Sequence, residues 1–189
     1  MHDILLFFVG LMSSWVPAAH NDTTRYASIA QDALDVSAES DWLGFSAEET
    51  AVVLLSIASF ESGFRADIDK GKVRGDGGKS VCLGQVQLPT RAKREQVAAS
   101  RKECFRVMLE RVAASWDWCH KLPLSERLSG YTVGKCVKSK TSRKYTRRLL
   151  DGIDAVNEFL PVVDWDVDPL TDPDADLYWP DPMHIDARK

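Results

Sequence analysis

Three features that define other classes of protein are missing from this sequence. No apolar run reaches the roughly 18 residues that a membrane-spanning helix needs, which excludes a multi-span membrane protein. No spacing of residues recurs along the chain, which argues against solenoids and propellers. The four cysteines do not form the closely spaced pairs that are typical of zinc sites. The sequence therefore indicates neither a metal nor an organic cofactor.

The composition is that of a folded protein. Of the 189 residues, 44% are hydrophobic and 28% are charged, and these proportions exclude a disordered or collagen-like chain. The length is enough to bury a hydrophobic core, and it suits one domain of ordinary size with an extension.

Charge is distributed unevenly along the chain. Residues 91–148 carry 16 Lys and Arg against 5 Asp and Glu, whereas the remaining residues carry 8 basic and 23 acidic groups. A basic segment attracts polyanions such as nucleic acid or an anionic cell-wall polymer, but basic residues interleaved with apolar ones more often form a solvated helix face. The aromatic spacing of an RNA-binding sheet is absent, so we expect no specific nucleic-acid partner. Retention on anionic envelope polymers is the hypothesis that we keep.

The two ends of the chain differ from its middle. Residues 4–12 form a short apolar run followed by small residues, which is typical of an export signal cleaved after Ala18 or Ala19. The basic flank of such a signal is missing, and a first helix packed in the core explains the run equally well. Residues 161–189 hold eight Asp and five Pro, which predicts an irregular acidic tail. The predicted parts are a signal or first helix, a folded domain and a tail, over residues 1–20, 21–160 and 161–189.

The cysteines indicate two disulfides formed in an oxidising compartment, although four buried free thiols would suit a cytoplasmic protein. Apolar residues at helical spacing predict one long helix over residues 94–120. Cys104 and Cys119 would then lie about 22 Å apart along its axis, too far for a bond that needs α-carbons within roughly 7 Å. We favour a bond between Cys119 and Cys136, because these residues flank a short connection. Cys82 and Cys104 would form the second bond. The other possible set is Cys82–Cys119 with Cys104–Cys136.

The apolar pattern predicts a mainly helical fold. Ser46 and Glu49 form a capping box, in which a capping Ser is followed by Glu three residues later. The helix that follows, over residues 50–60, is apolar on nearly all sides and is therefore predicted to be the buried central helix. Gly63 is a natural C-terminal stop. Further helices are predicted over residues 22–36, 125–133 and 141–160, with loops and a small hairpin over residues 65–88.

Glu61 stands where this apolar helix ends. Burial disfavours a carboxylate, and the negative end of the helix dipole does so too, so both effects should raise the pKa of Glu61. A carboxylic acid that stays protonated near neutral pH can donate a proton to a glycosidic oxygen. The alternative is an ordinary glutamate at a helix end, which points to solvent or pairs with Arg65.

Four short motifs follow one another within residues 46–160. They are Glu61-Ser62-Gly63-Phe64, Cys82-Leu83-Gly84-Gln85-Val86-Gln87, Ser129-Gly130-Tyr131-Thr132-Val133-Gly134, and Tyr145 followed by Arg147-Arg148-Leu149-Leu150. In this order and spacing they resemble the Glu-Ser, Gly-Leu-Met-Gln and Ala-Tyr-Asn-Ala-Gly motifs and the late tyrosine of the lysozyme-like lytic transglycosylases. Gly75-Asp76-Gly77-Gly78 also resembles goose-type lysozyme, a relative in fold.

The resemblance implies a mainly α, lysozyme-like fold with a small hairpin region and a peptidoglycan-binding groove beside the buried central helix. It implies that Glu61 protonates the glycosidic oxygen between N-acetylmuramic acid and N-acetylglucosamine. The same residue would then take the proton of the sugar's own 6-hydroxyl, which closes a 1,6-anhydro ring.

The resemblance also implies six residues that bind substrate or support Glu61. They are Ser62, Gln85, Gln87, Tyr131, Thr132 and Tyr145. Ser62 would orient Glu61, the glutamines would hydrogen-bond the sugar, and the tyrosines would line the groove. Thr132 stands where the family usually has Asn, and a hydroxyl does not offer the paired donor and acceptor of an amide.

Two alternatives stay open at this point. A hydrolytic lysozyme would need a second carboxylate, for which Asp67, Asp69 and Asp76 are candidates. A non-catalytic wall-binding or virion structural protein would keep the fold without the chemistry. In each case the expected partner is the peptidoglycan glycan strand, alone or within a cell-envelope or phage-tail assembly. The expected location is extracytoplasmic (periplasmic or secreted) or virion-associated.

Overall fold

A computed structural model describes residues 2–17, 23–40 and 44–160, and these residues are mainly helical with one small antiparallel sheet. The helices are α1 (His2–Trp15), α2 (Thr23–Ser37), α3 (Ala47–Glu61), α4 (Ala66–Asp69), α5 (Arg91–Ala99), α6 (Arg101–Trp118), α7 (Ser129–Val133) and α8 (Lys140–Phe159). The strands are β1 (Ser80–Val81) and β2 (Val86–Gln87). These elements belong to one compact unit. The prediction of a mainly α fold is confirmed.

Helix α3 is the buried central helix that the sequence predicts. The hydroxyl of Ser46 accepts a hydrogen bond from the Glu49 amide at 3.1 Å, and the Ser46 amide donates to Glu49 Oε2 at 2.7 Å, so the capping box is formed. Leu54, Leu55 and Ile57 are fully buried, and burial of such a side chain contributes roughly 1.5–3 kcal/mol. Helices α1, α2, α6 and α8 all pack against α3. The end of α3 is therefore held in a fixed place.

The described part of the apolar N-terminal run is helix α1. Phe8 and Met12 are fully buried, and the helix packs against α2 and α3. Ala18 and Ala19 lie outside the described residues, so cleavage there stays a prediction, and residues 161–189, predicted as an irregular tail, also lie outside them. Within the part of the chain that the structure describes, no helix is long and apolar enough to cross a membrane.

The prediction of one long helix over residues 94–120 is wrong. The chain breaks at Ser100, which has an extended backbone (φ −137°, ψ 118°) between α5 and α6. The Ser100 hydroxyl accepts a hydrogen bond from the Glu103 amide at 3.3 Å, and this cap begins a new helix. The predicted helix over residues 125–133 is also shorter, since a 3-10 turn at Leu124–Glu126 precedes α7.

The favoured disulfide pairing is confirmed. Cys82 is bonded to Cys104 with α-carbons 6.0 Å apart, and Cys119 to Cys136 with α-carbons 5.2 Å apart. None of the four is a free thiol. Cys104 lies in the first turn of α6 and Cys119 directly follows its last residue. Each bond therefore ties one end of α6 to a separate segment of chain.

Candidate active site

A cleft of about 590 Å³ lies at the C-terminal end of α3, and we call it the Glu61 cleft. Its volume is in the range of a small-ligand site. Its walls come from the end of α3, the segment around β1 and β2, one face of α6, and α7. The lining residues are Glu61, Asp76, Gly84, Gln85, Val86, Gln87, Arg111, Ala114, Ser115, Trp118, Gly130, Tyr131, Thr132, Val133 and Gly134.

Glu61 is the last residue of α3 and reaches the cleft wall. Burial raises the pKa of its carboxyl above the ordinary value of 4.5, and the nearby charge of Asp76 acts in the same direction. The hydroxyl of Tyr145 donates a hydrogen bond to Glu61 Oε1 at 2.8 Å and lowers the pKa, but burial is the larger effect. The carboxyl is thus biased toward its protonated form.

Tyr145 is supplied by α8 and is fixed by its neighbours. Its ring stacks on Phe60, with centroids 4.3 Å apart and an interplanar angle of 18°. The Arg148 guanidinium lies 3.8 Å from the Phe60 ring centroid and donates to the Ser59 hydroxyl at 2.7 Å. Burial and the Glu61 charge raise the pKa of Tyr145, so it remains a phenol and a donor. Its hydroxyl therefore holds one oxygen of Glu61 in place.

Asp76 is the second carboxylate of the cleft, and its pKa is shifted in the direction opposite to that of Glu61. The Ser80 hydroxyl and the Gln87 side-chain amide both donate to Asp76 Oδ2, the latter at 3.0 Å. These bonds lower the pKa of Asp76 below its ordinary value of 3.8. The cleft therefore combines Glu61, whose protonated form is favoured, with Asp76, whose ionised form is favoured.

The other two acidic candidates from the sequence do not line the cleft. Asp67 accepts from the guanidinium of Arg65, at 3.1 Å from Nε, and this contact lowers the pKa of Asp67. Asp69 accepts from the Arg101 guanidinium at 2.8 Å and takes part in packing α6 against the α4 segment. Arg65 thus pairs with Asp67, whereas Glu61 bonds to Tyr145.

Gln85 lies in a tight loop that holds it in the cleft. Its side-chain amide donates to the Cys82 carbonyl at 3.0 Å, and both residues have left-handed backbones, with φ of 47° and 60°. Gly75 allows this fit, because a Cβ at Gly75 would lie 2.2 Å from Gln85 Oε1. Residues other than glycine at positive φ store strain of the kind found at functional sites.

Tyr131 and Thr132 line the cleft from α7. The Tyr131 hydroxyl donates to the Gly84 carbonyl at 3.0 Å, and its amide donates to the Ser115 hydroxyl at 2.8 Å. Burial raises the pKa of Tyr131, so it also remains a phenol. The Thr132 hydroxyl oxygen is buried and has no hydrogen-bond partner within the described residues.

Ser62 is the one predicted site residue that neither lines the cleft nor contacts Glu61 through a described hydrogen bond. Its buried hydroxyl donates to the Ala58 carbonyl at 2.9 Å, one turn back in α3. It therefore stabilises the last turn of the helix. Of the other predicted residues, Glu61, Gln85, Gln87, Tyr131 and Thr132 line the cleft, and Tyr145 contacts Glu61.

Sequence reasoning missed the residues that α6 contributes. Arg111, Ala114, Ser115 and Trp118 line the cleft, although the apolar pattern drew attention to the buried face with Trp116. Trp118 is 61% exposed. Trp118 is a large aromatic residue that does not fit the apolar spacing of α6, and this mismatch could have indicated a binding role.

Among the described residues, no group of three or more His, Cys, Asp or Glu side chains could hold a metal ion. No family model, curated protein or solved structure matches the chain.

Proposed function

We propose that the protein cleaves the β-1,4-glycosidic bond between N-acetylmuramic acid and N-acetylglucosamine in peptidoglycan, with Glu61 as the general acid. The observation that carries the proposal is the half-buried carboxyl of Glu61 at the wall of a sugar-sized cleft, with a raised pKa and a hydrogen bond from Tyr145. A protonated carboxyl at such a position can hand its proton to a departing sugar oxygen. A lysozyme-like arrangement of the helices around the cleft is part of the proposal.

Glycosidic cleavage by Glu61 would begin with proton transfer to the bridging oxygen while the bond to the anomeric carbon breaks. Tyr145 keeps the carboxyl oriented through its bond to Oε1. The positive charge that develops on the sugar ring is stabilised by the two negative groups then present, the Glu61 carboxylate and Asp76. Tyr131 remains an uncharged phenol, and its hydroxyl donates to the Gly84 carbonyl in the cleft wall.

The first route from this point is the lytic transglycosylase reaction. The Glu61 carboxylate takes the proton from the 6-hydroxyl of the muramic acid residue, and that oxygen bonds to the anomeric carbon. Glu61 recovers its proton, and the product carries a 1,6-anhydro end. This route needs a single carboxyl group, and Glu61 alone would serve it.

The second route is hydrolysis, and it is favoured by the presence of Asp76 as a second carboxylate in the cleft. Asp76 lines the same cleft as Glu61, and the pKa values of the two groups are shifted apart, which is the arrangement that assigns one carboxyl as acid and the other as base. Asp76 would take a proton from a water molecule that attacks the anomeric carbon. The product would carry a reducing end.

The experiment that tests the proposal compares wild type with Glu61→Gln on purified peptidoglycan sacculi. Removal of the general acid should lower the cleavage rate by about 10²–10⁴-fold, measured as loss of turbidity and release of soluble fragments. Mass spectrometry of those fragments distinguishes the routes, because an anhydro product is lighter than a hydrolytic product by one water molecule. If wild type and Glu61→Gln are equally inert but still bind the wall, the protein is a non-catalytic wall-binding or virion component.

The two disulfides support a location where thiols oxidise. We place the proposed activity in an extracytoplasmic compartment or on a virion, where peptidoglycan strands are accessible.

A further inference from the structure

One face of α6 forms a wall of the Glu61 cleft with different chemistry at its two ends. Arg111 stands at one end of this face and Trp118 at the other, and both are exposed. Ala114 and Ser115 lie between them and also line the cleft. Since a helix rises about 1.5 Å per residue, Arg111 and Trp118 lie about 10 Å apart along the axis. That distance matches the length of a disaccharide.

Trp118 presents an aromatic surface at this end of the cleft. Helix α7 approaches it closely at Gly130, because a Cβ there would lie 3.1 Å from Trp118 Cε3 and 2.7 Å from the Ser115 hydroxyl. The Gly130 backbone therefore lies close to the indole, and 61% of the Trp118 residue stays exposed. An aromatic ring held open in a cleft can stack on the apolar C–H face of a sugar while its N–H meets polar groups.

Arg111 differs from the other arginines of its helix. Arg101 and Arg106 each form two ion pairs with carboxylates. Arg111 donates to the Gln87 carbonyl, and no described carboxylate forms an ion pair with it. A guanidinium has five N–H donors, so Arg111 keeps most of them available at the cleft wall. Its planar geometry suits an incoming carboxylate.

We propose that the Arg111–Trp118 face of α6 is a disaccharide subsite for an acidic glycan, in which Trp118 stacks on one sugar and Arg111 binds a carboxylate carried by the other. The inference rests on the proposed function and specifies its substrate class. It predicts selection for strands with anionic substituents over neutral chitin-type strands. The carboxylate could belong to the lactyl ether of a peptide-free muramic acid or to a stem peptide, and both present the same chemistry to Arg111.

Calorimetric titration tests the subsite separately from catalysis. The protein would carry Glu61→Gln so that no strand is cleaved, and the three probes would be a chitin oligosaccharide, a peptide-free peptidoglycan strand and a peptide-bearing strand. We expect Arg111→Met to weaken binding of an acidic strand by about tenfold or more, as for loss of a hydrogen bond to a charged group, and to leave chitin binding unchanged. The acidic strand that responds identifies the source of the carboxylate.

Matched variants complete the experiment. Lys93→Met removes an exposed cation of α5 that does not line the cleft, and it should change no affinity. Trp118→Ala should weaken all three strands, and Trp118→Phe should retain part of the binding because it keeps an aromatic ring. The preference for acidic strands should decrease at high salt, since Arg111 is exposed. Thermal unfolding of each variant verifies that it is folded.

Several results would overturn the subsite. For Arg111→Met, these results are a preference for acidic strands that persists, or chitin binding that falls as much as acidic-strand binding. For Trp118→Ala, the result is unchanged affinity for every strand. Absence of binding of any strand to the Glu61→Gln protein would also overturn it. Failure of the proposed function has a different signature. In that case the wild type leaves sacculi intact, although the Arg111-dependent preference for acidic strands is still measured by calorimetry.

Discussion

Glu61 and Asp76 show how two side chains of the same chemical type are given opposite properties. Glu61 is half-buried at the end of an apolar helix, and burial raises its pKa. Asp76 is exposed and receives hydrogen bonds from Ser80 and Gln87, which lower its pKa. Desolvation penalises the charged form, whereas donors stabilise it. The difference therefore comes from the surroundings of each carboxyl and not from its identity.

Tyr145→Phe should shift the pH dependence of cleavage. The Tyr145 hydroxyl donates to Glu61 and stabilises the carboxylate, so its removal should raise the pKa of Glu61 further. The general acid must be protonated, and the alkaline limb of the pH–rate profile should therefore move to higher pH. We also expect a lower maximal rate, because Glu61 loses the contact that orients it.

The control for this prediction is Tyr26→Phe, which removes another buried phenol hydroxyl from a residue that does not line the cleft. Its pH–rate profile should match that of wild type. An alkaline limb that stays in place in Tyr145→Phe, or moves to lower pH, would contradict the role assigned to this hydrogen bond.

The sequence allowed a correct prediction of the direction in which the pKa of Glu61 is shifted, but it did not point to Trp118. The raised pKa of Glu61 follows from its place after an apolar helix, which is local information. The exposure of Trp118 depends on where α7 lies, since Gly130 packs against its ring. The proximity of Asp76 to Glu61 likewise depends on a loop whose path the sequence does not specify.

At the scale of elements, three basic residues of α6 pair with acidic residues of α2 and of the turn that follows it. Arg101 pairs with Asp32 and Lys102 with Asp35, both in α2, and Arg106 pairs with Glu39, which follows α2. The Lys102 and Arg106 side chains remain 43% and 39% exposed in these pairs, so this face of α6 is both paired with carboxylates and partly solvated. The uneven charge of the sequence partly reflects which helices lie side by side, and it is a weaker argument for a polyanion partner than the sequence alone indicated.

Helix α8 packs closely against the core at Gly152. A Cβ at this position would lie 2.6 Å from Val52 Cγ1 and 3.0 Å from Trp15 Cζ2. Gly152→Ala should therefore lower the free energy of unfolding by about 1–3 kcal/mol, although alanine is the better helix former. Chemical denaturation followed by circular dichroism measures this change.

Gly10→Ala in α1 is the matched substitution. Nothing lies within 4 Å of a Cβ built at Gly10, so only the helix preference acts, and stability should rise by up to about 1 kcal/mol. Opposite signs for the two substitutions are expected. Equal effects would mean that α8 does not depend on this close contact.

The helices were predicted well where the local signal was strong. The capping box of α3 is explicit in Ser46 and Glu49, and its apolar core made burial evident. The break at Ser100 was missed, because apolar residues continue on both sides at helical spacing and only the capping side chain distinguishes two helices from one.

At the scale of the whole molecule, the two disulfides should contribute a large part of the free energy of unfolding. The bonded cysteines are separated by 22 and 17 residues, and loops of this size contribute about 3 kcal/mol each in the chain-entropy model. Reduction should shift the midpoint of urea unfolding to lower concentration. Cys82→Ala/Cys104→Ala and Cys119→Ala/Cys136→Ala should each reproduce part of this shift.

A midpoint that is the same in reduced and oxidised protein would contradict this prediction. Helix geometry excluded only a bond between Cys104 and Cys119, and the short connection between Cys119 and Cys136 was the reason for favouring the observed set over the other one. The exclusion of a Cys104–Cys119 bond still holds with the break at Ser100, because these two cysteines lie at opposite ends of α6.

Helix α6 is covalently joined near both ends to segments that adjoin residues lining the cleft. Cys104 connects its first turn to the loop with Gln85, and Cys119 connects its far end to the chain that follows Gly134. The two disulfides restrict how far these segments can move relative to α6. We expect this part of the cleft to change little in shape when a glycan strand binds. Crystal structures with and without a bound strand should therefore superpose closely along these walls.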